Sequence, residues 1–227
     1  SVIFGALEER PKITVSDAKD ESVDATRLSA IGGTTTGLVT VSNAVKVSAG
    51  HDDLLAAFVS TTSKVTAAKA VVTFSDAKNT EITAKELSDV GGAVASASVT
   101  NKIKVDGNHD QLTAAFVTTT SKVTAASAKV TFSDNTGATM TAKEISDIVG
   151  EVGSGTITNR VDITGNKTEM TAALVTNGTA ATIGTTGTTA TVSDLASLSE
   201  ANAIAKINNV TASFTLGLSD TAGNLTK

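Results

Sequence analysis

HDDLLAAFVSTTSKVTAA (His51–Ala68) returns 58 residues later as HDQLTAAFVTTTSKVTAA (His109–Ala126), with three of eighteen positions changed. Inside the phrase, Leu54 with Phe58 and Leu112 with Phe116 recur at helical spacing, which puts each pair on one helix face. A phrase written twice at fixed distance points to a chain built from repeated supersecondary units, none of which buries its apolar face alone.

Working outward, a strand-like run ending in Ser-Asp precedes or follows each phrase. It reads ITVSD (Ile13–Asp17), VTFSD (Val72–Asp76), VTFSD (Val130–Asp134) and ATVSD (Ala190–Asp194). The Asp residues are 59, 58 and 60 positions apart. A second anchor lies within each copy: VKVSAG (Val45–Gly50), IKVDGN (Ile103–Asn108) and VDITGN (Val161–Asn166). With TLGLSD near the end, the last apolar residues run Val15, Val47, Phe74, Val105, Phe132, Ile163, Val192, Leu218. Each long copy therefore divides into two half-units of about 29 residues. The boundaries fall at 1–11 (an N-terminal segment, read as a docking strand), 12–69, 70–127, 128–187 and a partial fourth repeat at 188–227.

Each half-unit reads as strand, turn, helix. Alternating apolar residues such as Ile103 and Val105 have the period of a strand with one buried face. A polar turn follows. Thr83-Ala-Lys-Glu86 and Thr141-Ala-Lys-Glu144 then match the capping box, as do Asn108-His-Asp-Gln111 and Asn166-Lys-Thr-Glu169. Gly91-Gly92 and Gly150 are placed to stop two helices. A second short strand is expected at Val39 and Val41, or from Val65, before the anchor returns. Strand, crossover helix and strand in this spacing imply parallel pairing. The expected fold is an α/β repeat solenoid in which neighbouring units cover one another; the alternative is a string of small α+β domains. Val47, Phe58, Phe74, Val105, Phe116, Phe132 and Ile163 are the expected interior.

Composition narrows the function. The 227 residues carry a net charge of −5, which disfavours nucleic acid and anionic membrane surfaces as partners. No stretch has the roughly 20 apolar residues of a spanning helix, so membrane insertion is not expected. There is no Cys, hence no disulfide framework.

His51 and His109 share one repeat position, taken by Lys167 in the third copy. A catalytic base is set once, not copied and then replaced, so they read as surface residues at helix starts. Asp52, Asp53 and Asp110 read as partners of the helix dipole. Asp17, Asp76, Asp134 and Asp194 could form a carboxylate row, which leaves calcium open as a cofactor. Turn and cap roles explain them without it, and no calcium loop with regular ligand spacing occurs. Asn166, Asn177, Asn209 and Asn224 match the glycosylation pattern, as expected by chance in so Asn- and Thr-rich a chain. No catalytic, cofactor-binding or metal-ligating residue is assigned, and no enzyme is expected.

The phrases VTFSDAKNTEITAKELSDV, TTTGLVTVSNAVKVSAG and SLSEANAIAKI resemble the Ala/Thr/Val-rich repeats of large secreted bacterial proteins, especially cyanobacterial ones, found beside calcium-binding, adhesin or surface-layer segments. The resemblance implies an extracellular, secreted or cell-surface protein with a structural role. The expectation is a subunit or segment of a surface layer, filament or adhesin stalk that self-assembles into a homo-oligomer or polymer. The alternative is a surface-binding module of an adhesin or phage fibre with a glycan partner, disfavoured by the lack of Trp and Tyr for sugar stacking.

Overall fold

A computed structural model describes residues 12–63, 65–121 and 123–225. The expected docking strand at residues 1–11 lies outside them. Along the chain run β1 (Ile13–Val15), α1 (Ala25–Thr34), β2 (Val39–Val41), β3 (Lys46–Ala49), α2 (His51–Phe58), β4 (Val65–Phe74), β5 (Glu81–Thr83), α3 (Ala84–Ala93), β6 (Val94–Val99) and β7 (Lys104–Gly107). They continue as α4 (His109–Phe116), β8 (Val123–Phe132), β9 (Thr139–Thr141), α5 (Ala142–Glu151), β10 (Val152–Ile157), β11 (Asp162–Gly165) and α6 (Lys167–Leu174). The last are β12 (Thr182–Ile183), β13 (Thr188–Val192), α7 (Leu198–Ala205), β14 (Val210–Phe214) and α8 (Ala222–Leu225).

This is an α/β fold of alternating strands and short helices. A ten-stranded sheet follows the path β1-β2-β4-β6-β8-β10-β12, with β3 beside β4 and the β5-β7 pair beside β8. A four-stranded sheet runs β14-β13-β11-β9. Both are open, and every strand pair between named strands is parallel. Along the long path the partners Ile13↔Val39, Val39↔Val65, Ala97↔Val123 and Thr156↔Thr182 are each 26 residues apart. A parallel pair needs a crossover of a dozen or more residues, and a turn plus an eight- to ten-residue helix supplies it.

The helices from α1 to α7 pack as a series, each of α1 to α6 against the next. One continuous cluster of buried apolar side chains runs from Ala25 to Ile204. All seven expected interior residues, Val47, Phe58, Phe74, Val105, Phe116, Phe132 and Ile163, are buried in it.

Local chemistry explains the helix starts. Thr83, Asn108, Thr141 and Asn166 cap α3, α4, α5 and α6 through complete capping boxes with Glu86, Gln111, Glu144 and Glu169. Ser197 and Glu200 do the same for α7. The glycines differ from expectation. Gly91 and Gly92 lie within α3, and Gly150 lies within α5. They do not stop the helices. A Cβ at Gly91 would sit 2.2 Å from the Ser121 carbonyl oxygen, and one at Gly32 in α1 would sit 1.6 Å from that of Ser63. These two glycines let α1 and α3 approach the turns that follow α2 and α4. The expected pair of strands from Val65 is also one element, because β4 carries Val65 and the VTF anchor in a single run of ten residues.

Candidate functional site

The Ser-Asp anchors are where successive half-units meet. Asp76 follows β4 at 8% exposure, and Asp134 follows β8 at 4%. A buried carboxylate needs hydrogen-bond donors, and these come from the preceding half-unit. The His51 backbone N–H, first in α2, donates to both Asp76 oxygens at 3.1 Å. The His109 N–H donates to Asp134 at 3.2 and 3.0 Å. In the third copy the Lys167 N–H donates to Asp194 at 2.7 Å, and near the end Leu198 N–H donates to Asp220 at 3.0 Å. Each carboxylate thus satisfies an orphan donor, and meets the positive end, of a neighbouring helix. Among the described residues this is the only side-chain cap on α2, because Gly50 occupies the N-cap position where α4 and α6 have Asn108 and Asn166.

The anchor backbone is held from the other side. Asn43, Asn101 and Asn159 donate their side-chain N–H to the carbonyls of Asp17, Asp76 and Asp134, all at 2.7 Å. The hydroxyls just before them, on Ser42, Thr100 and Thr158, donate to the carbonyls of Val15, Phe74 and Phe132. Asp76 and Asp134 therefore tie together the half-unit before and the half-unit after.

The two histidines complete these junctions. His51 Nδ1 lies 2.6 Å from Asp76 Oδ1, and His109 Nδ1 lies 2.5 Å from Asp134 Oδ1. The imidazole side chains are only 18% and 19% exposed. They do stand at helix starts, as expected, but they are not surface residues: each reaches across to a buried carboxylate 25 positions on. Burial is the strongest influence on each imidazole and pulls its pKa down. The hydrogen bond and charge of Asp76 or Asp134, with Asp52 and Glu86 or Asp110 and Glu144, outweigh it and raise the pKa above the ordinary value. Glu144 is pushed up by burial, yet bonds from Thr141 and the charge of His109 hold it below the ordinary carboxylate value. Lys167, at the equivalent position, turns its Nζ to the Leu195 carbonyl at 2.9 Å and stands 3.9 Å from Glu200.

Chemically, the arrangement binds and orients. With Nδ1 held by the carboxylate, the outer nitrogen Nε2 of His51 stands 3.5 Å from Asp52, and that of His109 stands 3.5 Å from Asp110. Asp52 and Asp110 thus face the imidazole as well as the helix end. Among the described residues no group of three or more His, Asp or Glu is spaced to hold a metal ion, and no helix is long and apolar enough to cross a membrane. Of the glycosylation-pattern residues, Asn166 is a helix cap. Asn209 donates to the Ile183 carbonyl at 2.9 Å.

The sequence pattern assigns the histidines and the Ser-Asp anchors separate roles, and the structure joins them. The usable signal was the shared offset: 51 to 76 and 109 to 134. The Ser/Thr-Asn dipeptides at 42–43, 100–101 and 158–159 carry the 58-residue period too. Compared with protein-family models, curated proteins and solved structures, the chain has no match.

Proposed function

We propose that this chain is an extracellular structural protein, a subunit or segment of a surface layer, filament or adhesin stalk. Its half-units would form an α/β repeat solenoid, and its action would be mechanical, with no enzymatic step. The reading is supported most by the junctions. Carboxylate, amide and hydroxyl groups tie each half-unit to its neighbours in the same way at 58-residue intervals, over one continuous apolar cluster. Such chemistry resists separation of neighbours.

Self-assembly would use the same face that half-units present to one another. The inward residues of β13, Thr188, Ala190 and Val192, are buried under β14 and β11. Those of β14, Val210, Ala212 and Phe214, are only half-covered. Leu216 beside them is 64% exposed, and Leu218 is exposed as well. A further half-unit, in a continuation of the chain or in a neighbouring copy, would cover this face. Negative-stain microscopy of native material tests the reading: filaments or sheets are expected, and isolated monomers at all concentrations would overturn it.

A further inference from the structure

Three junctions have the same build and differ in their cation. In each, a helix-start N–H donates to the anchor carboxylate of the next half-unit. His51 and His109 add an imidazole to that carboxylate. Lys167 keeps its ammonium in the same neighbourhood, against the Leu195 carbonyl and Glu200. An imidazole changes charge within the range where proteins work, and an ammonium does not.

We propose that the His51–Asp76 and His109–Asp134 contacts are pH-dependent latches between successive half-units, and that the Lys167–Asp194 junction is a latch of the same build that does not release. The charges acting on His51 come from three elements: Asp76 after β4, Asp52 in α2 and Glu86 in α3. Those acting on His109 are Asp134 after β8, Asp110 in α4 and Glu144 in α5. All six are carboxylates. A protonated ring gives them a shared counter-ion. A neutral ring leaves three anions facing it from three elements.

The sign follows from the raised imidazole pKa. The latch is fully engaged below the ordinary value of 6.5. It weakens as pH rises through the higher folded value. The proton leaves to solvent from Nε2, while Nδ1–H still donates to the carboxylate. What is lost is the charge assistance, and such bonds are roughly twice as strong as neutral ones. Release is therefore a loosening of α2 and α4 at their first turns, with the backbone bond to Asp76 or Asp134 retained.

Hydrogen exchange of the full chain, resolved by helix and corrected for the intrinsic pH dependence of exchange, tests this between about pH 5 and about pH 8. Protection of residues 51–58 and 109–116 should fall several-fold relative to residues 167–174 across that range. His51→Lys and His109→Lys should each flatten the response of their own helix, and Lys167→His should give α6 the response it lacks. Three helices holding constant relative protection at every pH would overturn the proposal, as would a His→Lys variant that keeps its pH response. Should a His→Lys variant fail to fold, the wild-type comparison and Lys167→His still decide. Histidine titration by NMR adds a direct reading: either ring titrating at or below its ordinary value would also overturn it.

Discussion

Phe132 and Phe214 both end a parallel strand on its inward side, and they fare differently. Phe132 closes β8, which has β7 on one side and β10 on the other, and it is fully buried. Phe214 closes β14, which pairs only with β13 among the described residues, and it is half-covered. The residue type, strand polarity and inward orientation match, so the difference lies in the neighbours. Strands on both sides cover Phe132, and β13 alone among the described residues pairs with the strand that carries Phe214.

The largest expected effect comes from that pair. Phe132→Ala should lower unfolding stability by about 3–5 kcal/mol, whereas Phe214→Ala should cost about 1 kcal/mol. Denaturant melts with unchanged slope would measure both, and equal losses would break the comparison. A second contrast lies within one helix. Gly91→Ala drives a Cβ into the Ser121 carbonyl and should cost about 1–3 kcal/mol. Gly92→Ala, whose Cβ would meet nothing nearer than 3.9 Å, should be neutral or stabilise by up to about 1 kcal/mol.

A third contrast compares two junctions. Asp76→Ala removes the side-chain cap that α2 has among the described residues, while Asp134→Ala leaves Asn108 on α4. About 2 kcal/mol is expected for the first and about 1 for the second. Adding Gly50→Asn should shrink the gap by giving α2 its own cap. The most local effect belongs to a cap within one half-unit: Thr141→Ala should cost about 1 kcal/mol and leave helices other than α5 unchanged in their hydrogen-exchange protection.

Features set by nearby residues were legible in advance. The boxes starting at Thr83, Asn108, Thr141 and Asn166 need only positions three apart, and each caps a helix where expected. The alternation that marked Val105 and Phe132 as inward likewise needs only a strand's period. Features that depend on a neighbouring half-unit were not legible. Gly91 resembles a helix stop until the Ser121 turn, thirty residues on, is seen to occupy the space of its side chain. His109 resembles an exposed helix start until Asp134 arrives beneath it. The 58-residue period announced that such contacts exist, but pairing offsets near 26 decide which residues meet, and those come from the lengths of turns and helices together.

The central claim is that neighbouring half-units share one interior. Residue-resolved hydrogen exchange of Phe132→Ala reads it most directly. Phe132 is paired with Gly107 of β7 in the second repeat and with Ile157 of β10 in the third. Protection is expected to fall on both sides, in β7 and α4 as well as in β10. A loss confined to residues 128–187, with β7 and α4 as well protected as before, would mean that each repeat keeps its own core, and would contradict it.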